Sequence, residues 1–535
     1  MTALPPGLRR YPLLVAFGLF AVALGSWSLA TPLWGSPDEF QHVYRAYATA
    51  HGHLYIEPEP VLAGTGGVVQ VPREWELSRR NIACYGAMPW ISAGCAAPLN
   101  GDRTPVTVGS TAARYNPVYY LAVGWPSLVF SPEHSPYAMR VASSVLSAWF
   151  LAWAVTSALI TRRPRLSGAA ALLAITPMVV FMGAGVNPNG LEICAALACW
   201  VSLFALLTGA DVSERVHTVL VRRTALSACT LVVTRALSPL WLAVIVAVGL
   251  AIASRRHLRS FFRGAVLGWV GLVAVVSVAA VAWTYVAQTL TLNQLKNPSH
   301  YSLEQRLEFA WGGWTRQGKM WRGTVGNLGW LDTQLPPQVV YVWTAAALVV
   351  IVGALLFAAW RPRLSLGLAV VITISLPVLV EALNWNTSGP VWQPRYSLPL
   401  IAGVVAIAGI LLAQADFRLG RFGLVASLLT ICAAVWANVY GFVFTLVRNV
   451  AGLGNPFSLT GDWQPPVGAV PLTALNTAAW LAGATALYWF VSGAGLAGPA
   501  RRALRSLADH AGSTCCGTRQ DRVPDAHALR DRPQS

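Results

Sequence analysis

Apolar runs long enough to cross a bilayer recur along this 535-residue chain, and short arginine-bearing loops separate them. A crossing needs about 20 apolar residues to match a hydrocarbon core of roughly 30 Å. Tyr11–Leu33 is the first such run. Hydrocarbon offers no water to a bare peptide group, so the runs fold as helices. Only 11 % of the residues are charged, against 55 % hydrophobic, where a soluble domain carries about 25 % charge. Too few charges remain to coat a water-facing surface, and the chain reads as an all-α polytopic membrane protein. The net charge of +17 would suit nucleic acid. It lies instead in short loops between apolar runs, where membrane orientation places it, so nucleic acid is excluded as a partner. The sequence holds no zinc-type Cys/His spacing and no internal repeat.

Arg9 and Arg10 put the N-terminus on the cytoplasmic side, and the absence of a small-residue cleavage site makes the first run a retained span. Residues 34–115 form a first extracytoplasmic loop, and Asn116–Phe130 a short interfacial or re-entrant helix. Tyr137–Ile160 crosses inward, Gly168–Met182 outward, and Gly190–Leu207 returns. In residues 224–253 two runs of about 15 residues, each short of a full span, flank Arg235–Ala–Leu–Ser–Pro239. With basic loops on either side, they predict a hairpin that enters and leaves on one face. Gly264–Leu290 crosses outward to a second loop, 291–337. Further spans follow at Pro337–Trp360, Ser365–Leu383, Ser397–Gln414, Phe422–Val447 and Pro471–Ser492. The expectation is about ten spans plus the re-entrant hairpin in a domain over 1–494. A basic cytoplasmic tail, 495–535, is expected to be partly disordered. Both termini are then cytoplasmic, in a multi-pass plasma-membrane protein.

Cysteine usage agrees with this orientation. Cys84 and Cys95 are the pair in the first extracytoplasmic loop, where oxidation permits a disulfide. Cys194, Cys199, Cys229 and Cys432 lie in spans and read as small apolar residues. Cys515 and Cys516 in the tail suit acylation or nothing.

Candidate chemistry starts at Trp34–Tyr55, just after the first span. Ser36–Pro–Asp–Glu39 fits a helix-capping box with Ser36 as N-cap and Glu39 at N3. Such a box leaves Asp38 free, and an unpaired acid at a membrane-edge cavity suits removal of a proton from a bound hydroxyl. His42 and Arg45 follow on the helix face that carries Asp38 and, with Tyr396, are candidate substrate-binding residues. Arg395 and Tyr396 end a loop just before a span, where a guanidinium can grip a phosphate or anchor the interface. Arg235 lies in the hairpin break, where a charge needs a partner: an ion pair or a phosphate. Asn187 and Asn189 present amides to a sugar or cap the next span, with Glu192 one turn on. Trp311, Trp314, Trp321 and Trp330, with Arg316, Lys319 and Arg322, make either an aromatic belt or a sugar-stacking surface. His42, His51 and His53 are too loosely spaced for a metal site.

Five segments carry a resemblance: SPDEFQHVYRAY at 36–47, RYNPVYY at 114–120, NPNGLE at 187–192, GNLGWLDTQLP at 326–336 and QPRYSLPL at 393–400. Together they resemble the domain-of-unknown-function family 2142. More broadly, the long first loop and the acidic pair after span one resemble the GT-C superfamily of membrane glycosyltransferases. The resemblance implies a GT-C-like bundle with Asp38, and Glu39 beside it, as the catalytic acids. It also implies a polyprenyl-phosphate-linked sugar as donor and a glycan or lipid as acceptor, with Arg395 and Arg235 as candidate donor phosphate ligands. A clear Asp-x-Asp motif is missing; a divalent cation held by Asp38, Glu39 and a distant carboxylate stays open.

The function expected is therefore an inverting membrane glycosyltransferase that moves a sugar from a polyprenyl-phosphate donor to an extracytoplasmic cell-envelope glycan or glycolipid. A transporter or flippase for a lipid-linked or anionic solute is the alternative, with Arg235 in the broken hairpin as its site. A non-catalytic scaffold of envelope assembly is the third reading.

Overall fold

The computed structural model describes residues 11–58, 66–209, 213–261, 263–291, 299–315, 318–416, 420–454 and 457–495. The chain divides into a unit at Met1–Leu487 and a C-terminal unit at Tyr488–Ser535, described only as the end of the last helix. The expected tail, with Cys515 and Cys516, lies outside the described residues, as do Arg9 and Arg10.

Among the described residues nine helices are long and apolar enough to cross a membrane, or ten if one bent pair counts as a span. The first is α1 (Pro12–Ala30), and a tight turn leads to the polar helix α2 (Glu39–Ala50). The first loop then forms a two-stranded antiparallel ribbon, β1 (Val68–Pro72) with β2 (Pro105–Gly109). Between its strands Cys84 and Cys95 are joined by a disulfide. A short helix α3 (Pro117–Gly124) rests on α2 and leads to the span α4 (Ser135–Ala158).

The expected crossing at Gly168–Met182 is two helices, α5 (Pro164–Ala174) and α6 (Pro177–Ala184), bent by 61°. Pro177 lacks the N–H that would continue the first helix, and the Thr176 hydroxyl caps the second by accepting from Val179 N–H. A fully buried span α7 (Pro188–Thr208) forms the centre and packs on α4. Its start is capped by Asn187, whose Oδ1 accepts from Asn189 N–H, with Pro188 at the first helical position.

The interrupted segment becomes α8 (Glu214–Val232) and α9 (Ser238–Ile252), joined by an elbow at 233–237. Span α10 (Gly264–Val286) is nearly all exposed at the periphery, as a lipid-facing helix is. In the second loop α11 (Leu303–Thr315) and α12 (Lys319–Gly326) precede a minimal ribbon of β3 (Asn327–Leu328) and β4 (Thr333–Gln334). Spans α13 (Pro337–Phe357), α14 (Trp360–Ser388), α15 (Leu398–Gln414), α16 (Gly420–Val450) and α17 (Ala469–Gly495) complete the order. The core is small-residue packing: α15 lies against α5 and α7, and Gly409 meets the Ala170 methyl so closely that a Cβ there would collide.

Candidate active site

The end of the bundle that carries α2 holds the titratable residues singled out from the sequence. Helix α2 starts at Glu39, its N-cap is Asp38, and no side chain caps it. Ser36 Oγ is buried without a partner, so the expected capping box does not form. The reason is Arg140 on α4. Its Nε and Nη2 donate to the two Glu39 oxygens at 2.6 and 2.5 Å. Its remaining donors take the Ser28, Thr31 and Pro32 carbonyls at the end of α1. Both side chains are 1 % exposed, and a buried charge without a partner would be far costlier than a lost cap. Glu39 is therefore consumed as a clamp between α1, α2 and α4, and is not a free acid beside Asp38.

Asp38 points the other way. Its backbone is left-handed, with φ 59°, a conformation that non-glycine residues adopt at a cost and that often marks functional sites. Its Oδ2 accepts from Arg395 Nη2 at 2.5 Å, from a residue 357 positions away. The Asp38 side chain keeps 47 % of its surface accessible, while Arg395 keeps 2 %. The acid thus opens onto solvent space with the guanidinium as its inner wall. Arg395 Nε and Nη1 are buried with no hydrogen-bond partner. Arg395 and Arg235 both lie over the Tyr396 ring, with 5.3 and 4.5 Å to its centroid.

Arg235 stands at the α8–α9 elbow and is held from α7. Its Nη1 donates to Glu192 Oε2 at 3.3 Å. Glu192 also accepts from Asn189 Nδ2, Ser238 Oγ and Trp241 Nε1, which leaves the carboxylate fully engaged. At 18 % exposed, Arg235 lines a recess with Tyr115, Asn116, Trp283 and Thr284. Asn187 Nδ2 donates to the Pro37 carbonyl, fixing the turn that presents Asp38.

His42 and Arg45 part company. His42 lies one turn along α2, its Nδ1 at 2.8 Å from the Tyr120 hydroxyl. Burial pushes its pKa down to about 3, so the ring is neutral at physiological pH even with Asp38 nearby. For Asp38, burial raises the carboxyl's pKa. The Arg395 charge and hydrogen bond, with smaller help from the neighbouring His42 and Arg235, together outweigh it and hold the acid below its ordinary value. Arg45 is fully buried and donates to the His53, Leu54 and Tyr115 carbonyls. It is a loop clamp with no surface for substrate, which corrects its expected binding role. Asn187 and Asn189 are likewise buried and committed through their amide groups, although Asn189 Oδ1 has no partner.

The loop tryptophans serve packing. Trp330 Nε1 donates to the Trp34 carbonyl, and Trp321 Nε1 to Thr344. Trp314 packs on Ala310, Val378 and Ala382. Only Trp311 among the four is largely exposed. Arg316 and the Lys319 side chain lie outside the described residues.

The sequence of a family described as a predicted membrane protein, DUF2142, matches residues 19–404. The chain belongs to the DUF2142 family. The matched stretch includes Asp38, Glu192, Arg235 and Arg395, so the whole constellation falls within the family's own span. No curated protein matches. Among solved structures the DUF2142 chain is similar to ArnT from Cupriavidus metallidurans bound to undecaprenyl phosphate, at 14 % identity and TM-score 0.40, covering 91 % of this chain and 77 % of that one. It is also similar to the archaeal oligosaccharyltransferase AglB from Archaeoglobus fulgidus in complex with an inhibitory peptide and a dolichol-phosphate, at 13 % identity and TM-score 0.39. It covers 83 % of this chain and spans little more than half, 56 %, of AglB.

Two functional-end residues escaped the sequence reading. Arg140 is a lone charge inside an apolar run, and an ionisable residue within a span is itself the signal. Arg448, at the end of α16, donates to Asp332 Oδ2 at 2.6 Å and to the Tyr85 carbonyl, tying both loops to the bundle.

Proposed function

We propose that the protein is an inverting membrane glycosyltransferase, which moves a sugar from a polyprenyl-phosphate donor onto a cell-envelope glycan or glycolipid at the outer face of the plasma membrane. One observation carries this reading: an accessible acid, Asp38, abuts a buried guanidinium, Arg395, that has two donor nitrogens unspent. The GT-C resemblance of the first loop agrees with it.

The chemistry follows from the parts. A phosphate leaves as a stable anion and needs no acid. It needs cations, and the acceptor hydroxyl needs a base. Asp38 takes the acceptor O–H proton. The acceptor oxygen attacks the anomeric carbon opposite the phosphate and forms the new C–O bond. The old C–O bond breaks, and its electron pair departs with the lipid phosphate. Asp38 then returns its proton to solvent. Arg395 and Arg235 neutralise the phosphate through the charge-assisted fork that guanidinium offers, and Tyr396 keeps the two cations in register.

An aliphatic donor also needs a place for its chain. A cavity of about 290 Å³, with an almost wholly apolar lining, lies on α7, α8, α9 and α10 around Leu203, Ala225, Ala228 and Val270. A divalent cation held by Asp38, Glu39 and a third carboxylate does not fit, because Arg140 occupies both Glu39 oxygens. No metal step is invoked. Transport through the broken hairpin has less support, since Arg235 shares the Tyr396 ring with Arg395 beside Asp38 and does not stand alone in the break.

The test is transfer of radiolabelled sugar from a panel of polyprenyl-phosphate donors by purified protein in proteoliposomes. Asp38→Asn is expected to lower transfer about 10²–10⁴-fold. Undiminished transfer by that variant would remove Asp38 from the mechanism.

A further inference from the structure

The ion pair that marks the site also disables it. A carboxylate bonded to a guanidinium at 2.5 Å has its lone pair engaged and is a poor base for a hydroxyl. The same guanidinium holds Nε and Nη1 buried and unbonded, a costly state for charged donors. Arg395 is thus half-satisfied, and its one strong partner is the group the reaction needs free.

We propose that Arg395 is a latch on Asp38, opened by the donor's phosphate, so that the base becomes competent only after the lipid-linked donor has bound. This rests on the donor reading given above and deepens it to an order of events. A phosphate monoester or diester brings several acceptor oxygens. It can satisfy Nε and Nη1 together in the planar fork and draw Nη2 away from Asp38. Among the described residues no other cation bonds the acid as Arg395 does. Arg235 is engaged by Glu192. His42 is neutral, and the tyrosines around it supply no cation. Once Arg395 turns to phosphate, the main influence opposing burial at Asp38 is withdrawn, and burial favours proton uptake. The two halves of the arrangement explain each other: the unspent donors are the phosphate's seat, and the spent one is the latch. The arrangement also guards against waste. An acceptor arriving first meets a masked base, and water in an empty site meets the same.

The latch makes a prediction opposite in sign to ordinary damage. Asp38 competes with phosphate for Arg395, so removing the acid's charge should tighten phosphate binding. The experiment measures binding of geranylgeranyl phosphate to the purified full-length protein in nanodiscs. Asp38→Asn is expected to bind about tenfold more tightly than wild type. Asp38→Glu, which keeps the charge, should stay near wild type, and Arg395→Gln should lose binding. A poorly folded variant weakens binding and cannot mimic the gain. Asp38→Ser removes the same charge and serves where the Asn variant does not fold. Equal or weaker binding by the folded, charge-free variants overturns the latch. If wild type binds while Arg395→Gln does not, the donor reading survives that failure. If wild type itself binds no isoprenoid phosphate, the donor reading falls and the latch with it.

Discussion

Asp38 and Glu39 are neighbours in sequence with opposite fates, and the left-handed backbone of Asp38 separates them. Glu39 turns inward to Arg140; Asp38 turns out to Arg395. His42, between them and the tyrosine wall, carries a pH consequence. Its pKa is about 3 when folded, against an ordinary value of 6.5. The unfolded chain therefore binds a proton at higher pH than the native one. Folding stability is fully present above about pH 6.5 and falls as pH drops from there towards about 3. The depressed Asp38 adds loss in the same direction at the acid end of that window. A His42→Gln variant should show a flatter dependence of thermal midpoint on pH between 6.5 and 4. A slope equal to wild type would mean that His42 is protonated in the native protein.

The spans were legible because hydrocarbon demands long apolar helices, and the sequence has little else. The hairpin break at Arg235 was legible for the same reason: an arginine and a proline cannot continue an unsupported span. The 61° bend at Pro177 was not, since Gly168–Met182 has the length and apolarity of a single crossing. The capping box failed for a physical reason as well. A local rule worth about 1 kcal/mol yielded to a buried ion pair supplied by another helix. The ribbons of the first and second loops left no clear trace, because strands of two to five residues lack a readable period. At this scale the α8–α10 cavity makes its own prediction. From Val232 in the recess, the cavity-lining residues of α8 run from Ala228 to Val221, about 6 to 16 Å away at 1.5 Å per residue. A geranylgeranyl chain is long enough to fill that stretch, and a dimethylallyl chain reaches its near edge at most. Wild type should therefore bind geranylgeranyl phosphate at least about tenfold more tightly than dimethylallyl phosphate, at roughly 0.8 kcal/mol per buried methylene. Ala225→Trp should erase that difference and leave dimethylallyl phosphate binding unchanged. A preserved chain-length effect in the variant would place the tail elsewhere.

Across the described residues, four arginine–carboxylate pairs with at least one buried partner gather at one end of the bundle: Asp38–Arg395, Glu39–Arg140, Glu192–Arg235 and Asp332–Arg448. Glu39–Arg140 and Asp332–Arg448 are structural and bind loops to spans, and in Glu192–Arg235 a buried acid holds a cation that faces the recess. They give the end of a lipid-embedded bundle the rigidity that small apolar contacts alone do not specify. The fourth has an accessible acid and a cation with unspent donors. Residue types placed Asp38 and Arg395 at membrane edges, but nothing in either segment states that they meet across 357 positions. That convergence belongs to the packing of α15 against α5 and α7, which no single segment encodes. The most direct measurement is a structure of the protein determined with geranylgeranyl phosphate. The account predicts phosphate oxygens on Arg395 Nε and Nη1, with the Asp38 carboxylate parted from Nη2 and facing open space. Phosphate bound away from Arg395, with the Asp38–Arg395 pair still closed, would contradict it.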